Sequence, residues 1–336
     1  MEEKILITGA TGRVGKHLVD SLIKQGEKVR VLIREGMIEN EQVEIFYGDL
    51  LNKESLKKAV EGVDVIYHLA AVVDYLAPEE VMFNVNVIGT KNLLEVTKIR
   101  KFIYLSSTAV MGKKLKELPA TENTPCRPSD LYGKTKLEAE TLVKAAGGII
   151  IRSADVFGSG FMEGYNYVIS HLEKGKLPVI GDGKNFIQWI HINDLIQALL
   201  LAKENGKPGE VYIVAGKEVK TLNECLSLLS KYLEVEPPKK HTSKILAKTA
   251  ARYKVFTSKI KKEKPEVIPQ YIDKITANRS FDISKARKEL GFEPKVSYEE
   301  AAEEMINEYK KIKNEKEEKL NQQQENIPEE QSKNQS

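Results

Sequence analysis

The chain opens on a short apolar run, Lys4-Ile-Leu-Ile-Thr8, that stops in glycines and is followed by helically spaced Leu18, Leu22 and Ile23. This reads as strand, turn, helix. The alternation returns at Val29–Ile33, Val43–Tyr47, Val65–Leu69, Phe102–Leu105 and Ile149–Ile151, each run separated from the next by a helix-like or loop segment. Continuous apolar strands between helices predict an α/β, Rossmann-type doubly wound parallel sheet, buried on both faces. After about residue 158 the order loosens into a helix near 164–174, a Pro178-Val-Ile strand, a Gly181-Asp182-Gly183 turn and further helices to about 312. The expected organisation is a sheet domain over 1–158, with about 184–216 packing back onto it, and a smaller, mostly helical substrate lobe over 159–312. The remainder, 313–336, is Glu, Lys, Gln and Asn without an aromatic residue, and such a tail is expected to be disordered.

The 336 residues are enough for this arrangement, and 41% hydrophobic residues supply its core. With 52 basic and 49 acidic residues the formal charge is only +3, so no global field points to nucleic acid as a partner. Cys126 and Cys225 match no metal spacing and read as free thiols of a reducing compartment. The chain starts directly on a strand, and no uninterrupted apolar run approaches the roughly 20 residues that span a bilayer. A cytoplasmic location is therefore the expectation.

Candidate chemistry begins at the first turn, Thr8-Gly9-Ala10-Thr11-Gly12-Arg13-Val14-Gly15, with glycines three apart opening a helix. Gly9 allows the tight turn, Gly12 lets backbone approach a pyrophosphate and Gly15 lets helix and strand pack closely, while the helix N-terminus attracts the phosphates. Thr11, Arg13 and Val14 complete the candidate cradle. A dinucleotide is the implied ligand. The second strand ends in Arg34, where an acid would bond a ribose 2′-hydroxyl and an arginine suits a 2′-phosphate, so the preferred cofactor is NADP, with NAD the alternative. Arg13 is expected to add a second cation there. Asp49 and Leu50, after the third strand, are placed for the adenine edge, and Leu69, Ala70 and Ala71, after the fourth, line the cofactor with small side chains.

The fifth strand leads into Ser106-Ser107-Thr108, and 25 positions past Ser107 comes Tyr132-Gly-Lys-Thr-Lys136. One helical turn puts Tyr132 and Lys136 on the same face. A tyrosine is a poor proton shuttle near neutral pH unless a nearby cation favours its phenolate, and Lys136 supplies one. The same spacing recurs at Tyr309 and Lys313, where nothing else supports chemistry.

Together with the glycine loop, Tyr67-His68-Leu69-Ala70-Ala71, Asn86-Val-Ile-Gly-Thr90, Leu105–Gly112, Ile151-Arg152 with Val156-Phe157-Gly158, and His191-Ile-Asn-Asp194, these residues resemble the extended branch of the short-chain dehydrogenase/reductase superfamily, the NAD-dependent epimerase/dehydratase type. The resemblance implies Tyr132 as acid or base, Ser107 holding the substrate oxygen (Thr108 is the less favoured substitute), and Lys136 on the nicotinamide ribose. Asn86 is expected to brace the site or to pack, and His68, His191 and Asp194 to be structural. The expected assembly is a homodimer.

Within that branch the sequence looks most like 3β-hydroxysteroid dehydrogenase and dihydroflavonol reductase. Asp155 stands where sugar-nucleotide members carry Asn, Ile187 replaces an arginine, and no arginine stands near Gln270–Asp273, so a diphosphate would meet few cations. Phe161, Met162, Tyr165, Tyr167, Phe186 and Trp189 instead offer apolar surface, and the expected substrate is a hydrophobic secondary alcohol or ketone. The alternative is a nucleotide-sugar epimerase or dehydratase. Finally, His241–Lys262 carries seven Lys and Arg, contains no acid, and spaces Ile245, Thr249, Arg252, Phe256 and Ile260 at helical intervals. A basic amphipathic helix is expected here, as a lid, a solvated helix, or a peripheral contact with the inner face of the membrane.

Overall fold

The computed structural model describes residues 3–97 and 101–325. Its centre is a parallel sheet built from β1 (Ile5–Thr8), β2 (Val29–Ile33), β3 (Val43–Tyr47), β4 (Val65–His68), β5 (Lys101–Ser107), β6 (Ile149–Ser153) and the edge strand Val211–Val214. The seven strands lie in the order Val211–Val214, β6, β5, β4, β1, β2, β3. All are parallel, in registers such as Ile5 opposite both Val29 and Val65. This is the Rossmann-type doubly wound sheet. The order reverses between β1 and β4, and a crevice forms there beyond the carboxyl ends of the strands.

Both faces of the sheet are covered, which explains why its strands read as unbroken apolar runs. On one face Ile5, Ile7, Val29 and Val31 meet Leu18 and Leu22 of the first helix, Arg13–Lys24, and Leu195 and Leu199 of the helix Ile192–Asn205. On the other, Leu6, Ile66 and Tyr104 pack against Leu56, Leu93, Ala139 and Val143. The chain that supplies Ile192–Asn205 and the edge strand thus returns to the sheet after a first excursion.

The smaller lobe has its own core, in which Met162, Ile169 and Leu172 meet Leu229, Leu233, Ala301, Met305 and Ile306. The last helix runs from Tyr298 to Glu325, beyond the point where composition predicts disorder. Its first half is anchored by buried Ala301, Met305, Ile306 and Tyr309, and the Glu, Lys and Gln that follow are good helix formers continuing an existing nucleus. Residues 326–336, the rest of the expected tail, lie outside the described residues.

Candidate active site

The glycine loop sits in the crevice at the end of β1. Gly9 has φ +76°, and a Cβ there would meet the Ala70 backbone nitrogen at 2.7 Å, so only glycine lets the loops after β1 and β4 come this close. A Cβ on Gly15 would run into the Gly9 carbonyl oxygen, which ties the first helix tightly to the loop. Gly12 is the helix N-cap and offers no side chain, and no other side chain caps this end. The first-turn N–H groups are therefore open to an anion in a cradle that side chains would fill. A dinucleotide pyrophosphate fits it, with Thr11, Gly12 and Arg13 exposed around the opening and Val14 half-buried beside it.

At the end of β2 Arg34 is exposed and has no ion pair among the described residues. Arg13, expected beside it, has its guanidinium over the Phe161 ring, 5.0 Å from the centroid, on the lobe side of the crevice. Asp49 accepts the Leu51 N–H on its carboxylate at 2.7 Å. Leu50 is buried against Gly89, whose added Cβ would touch its side chain at 2.8 Å. Leu69, Ala70 and Ala71 are half-buried along the crevice.

Ser107 and Tyr132 meet at the end of β5. Asp130 caps the helix Leu131–Ala145 by accepting the Gly133 N–H at 2.9 Å, which fixes Tyr132 in the first turn. Ser107 Oγ accepts the Ala109 N–H at 3.1 Å, and its hydroxyl lies near enough to the Tyr132 phenol to favour the phenolate. Thr108 is fully buried and has no hydrogen-bond partner among the described residues, so Ser107 is the hydroxyl on the Tyr132 side. Burial, reinforced by the charge of Asp155, pushes the Tyr132 phenol up, and the Ser107 hydroxyl opposes this. Lys136 is buried on the same helix. Its Nζ donates to the Leu105 carbonyl at 2.6 Å and lies 4.1 Å from the Tyr104 ring centroid. Burial lowers its pKa to about 7, against the opposing pull of Glu140.

A frame of buried polar groups holds these elements in place. Asn86 Oδ1 accepts the Val72 N–H at 2.7 Å, while Nδ2 donates to the Val72 carbonyl and to Thr135 Oγ1, both at 3.0 Å, tying the loop after β4 to the Tyr132 helix. His68 bridges Thr8 Oγ1 at 2.7 Å and Thr90 Oγ1 at 2.9 Å, and burial plus the Lys136 charge bring its pKa to about 3. It is a neutral strut. His191 contacts Glu304 at 3.0 Å, and Asp194 accepts the Lys295 and Val296 N–H groups, so neither is free for chemistry.

On the lobe side the expected aromatic lining divides. Met162, at the start of the helix Met162–Glu173, and Trp189, on the short strand Trp189–His191, belong to the lobe core, Trp189 packing between Phe157, Tyr165 and Tyr298. Tyr167 stacks on His171 at 3.8 Å, and Phe186 remains exposed. The aromatic groups beside the phenol are two that sequence reasoning missed: Tyr75 stands edge-on to Tyr132 at 6.3 Å, and Tyr271 edge-on to Tyr75 at 6.2 Å. No local periodicity marks them, since they come from a loop and from a seven-residue helix, Pro269–Ile275, remote in sequence. Lysines of this region are paired, Lys274 with Asp155 at 3.1 Å and Lys113, Lys244 and Lys248 with Asp273 at 3.4, 3.1 and 3.0 Å. These lysines hold Asp273 near about 2 in spite of burial.

The profile of the NAD-dependent epimerase/dehydratase family matches residues 5–215. The chain belongs to that family and is an NAD(P)-dependent enzyme of the extended short-chain dehydrogenase type. Among its relatives, a 3-beta-hydroxysteroid dehydrogenase of Mycolicibacterium neoaurum is 28% identical over 330 residues, covering 90% of each chain. The decarboxylating sterol-4-alpha-carboxylate 3-dehydrogenase of Mus musculus is 26% identical, over 94% of this chain and 93% of the other. Among solved structures, UDP-glucuronic acid 4-epimerase from Bacillus cereus in complex with NAD superposes with a TM-score of 0.73 at 25% identity, covering 92% of this chain and 99% of that one.

Proposed function

We propose that this enzyme is an NADP-preferring oxidoreductase that interconverts a hydrophobic secondary alcohol and its ketone. The observation that carries this reading is the Ser107–Tyr132 hydroxyl pair with the edge of Tyr75 beside it, a proton-transferring group in aromatic surroundings. The bound nicotinamide supplies or takes up the hydride at its C4. Burial and Asp155 keep Tyr132 as a phenol, the form that gives its proton to the substrate oxygen as a carbonyl is reduced. Ser107 holds that oxygen, and Lys136, which donates to the Leu105 carbonyl and lies over Tyr104, would find further acceptors in ribose hydroxyls. Arg34 would meet the 2′-phosphate. The names of the sterol-directed relatives support a hydrophobic substrate.

A second reading, a nucleotide-sugar epimerase or dehydratase with tightly held NAD, is favoured by the three lysines that converge on the single carboxylate of Asp273, a local surplus of positive charge that a diphosphate could meet. Calorimetric titration of the enzyme with uridine and thymidine diphosphate sugars separates the two. The first reading expects no binding below about millimolar, together with turnover of apolar ketones in a screen with NADPH and NADH; tight binding of any nucleotide sugar overturns it.

A further inference from the structure

We infer that the helix Lys244–Lys261 is a docking face for an anionic lipid bilayer, lying in the plane of the interface beside the mouth of the active site. Ile245, Leu246, Tyr253, Phe256 and Ile260 are 78%, 64%, 68%, 62% and 68% exposed. With Ile245 at zero and about 100° per residue, Phe256, Thr249, Ile260, Tyr253 and Leu246 follow within an arc of about 100°. Ala251, the buried residue of this helix, points about 240° round, to the opposite side. The helix thus packs on the protein by its small residues and turns a continuous stripe of large apolar ones outward, the reverse of the usual surface helix.

Charge identifies the occupant. Arg252 and Lys259 border one edge of the stripe, and Lys261 and Lys262 lie at its C-terminal end; all four are exposed and carry no ion pair among the described residues. No acid interrupts 241–262. A second copy packed across a two-fold axis would set these cations against their own kind, whereas anionic headgroups complement them while the apolar stripe enters the acyl boundary. Among the described residues no helix is long and apolar enough to cross a membrane, so the helix lies on the surface.

The position suits the chemistry. Lys244 and Lys248 bind Asp273 on the helix Pro269–Ile275, whose Tyr271 leads through Tyr75 to Tyr132. A bilayer held here would deliver a lipophilic substrate along an aromatic path; that consequence rests on the proposed substrate class, but the docking does not.

The test uses the full chain and vesicles of phosphatidylcholine with or without phosphatidylglycerol, and reads binding without substrate. Co-sedimentation should be at least tenfold stronger with the anionic lipid at low salt and be released at high salt. Changing Arg252, Lys259, Lys261 and Lys262 to Gln should weaken it about fivefold per cation. Phe256→Ser with Ile260→Ser should abolish it while leaving turnover of a water-soluble substrate unchanged. Phe256→Trp, read against the single native Trp189 in the lobe core, should shift its emission to the blue on anionic vesicles. Absence of sedimentation, full binding by the double serine variant, or a stable dimer that the same variant dissociates would overturn the proposal.

Discussion

Asp155 and Lys274 form an ion pair, Oδ1 to Nζ 3.1 Å, next to the Tyr132 phenol. Though desolvation of half-buried Asp155 works against it, Lys274 and Arg279 hold its carboxyl below the usual range, so it stays charged and discourages phenolate at Tyr132. Asp155→Asn removes that charge. The phenol should then ionise more easily, and in the alcohol-oxidising direction the rise of kcat with pH should move to lower pH by on the order of one unit. The pH–rate profiles of the two proteins check this, and superimposable profiles would mean that Asp155 does not govern Tyr132.

Lys136 gives a prediction about stability. Its pKa falls from 10.5 to about 7 on folding, because burial disfavours the ammonium. The folded protein therefore binds fewer protons than the unfolded chain between those values, and stability rises with pH across this window. The cost of the buried charge is fully present below about pH 7 and is lost by about 10.5. Lys136→Met should abolish this slope. The Tm difference between the cofactor-free variant and wild type should favour the variant most near pH 6 and shrink toward pH 10, whereas a constant difference would show that the lysine is not destabilised by burial.

Arg34→Asp removes the cation at the end of β2 and supplies an acceptor for a 2′-hydroxyl. A charge-assisted hydrogen bond contributes roughly 1.5–3 kcal/mol, so the ratio of kcat/KM for NADPH over NADH should drop by at least about tenfold. Initial rates with both cofactors decide it. A wild-type enzyme that already prefers NADH strongly would contradict the assignment of Arg34.

Much of the sheet and cofactor cradle was legible in the chain because both are local: strands are short apolar runs, and Gly9, Gly12 and Gly15 follow directly on β1. Placement also separates the two Tyr–Lys pairs of equal spacing. Tyr132 and Lys136 lie at the end of β5, with Ser107 beside the tyrosine, whereas Tyr309 and Lys313 both bind the carboxylate of Glu173 at 2.9 Å and simply clamp two lobe helices. What composition and spacing could not give were contacts between distant segments. Lys274 is claimed by Asp155, Tyr75 and Tyr271 stand together, and Trp189 turns into the lobe core, each decided by how the lobe folds over the sheet. The continuation of the last helix past residue 312 was missed for a different reason: that polar second half reads as disordered alone, but grows from a buried first half.

The central claim is that Tyr132 transfers the proton. Its most direct measurement is the turnover of Tyr132→Phe, followed at the nicotinamide absorbance with the best ketone found by screening and paired with titration of NADPH binding. Loss of the phenolic oxygen alone should lower kcat by at least about a hundredfold, while the dissociation constant for NADPH stays within about threefold of wild type. A variant that turns over at nearly the wild-type rate would contradict the account.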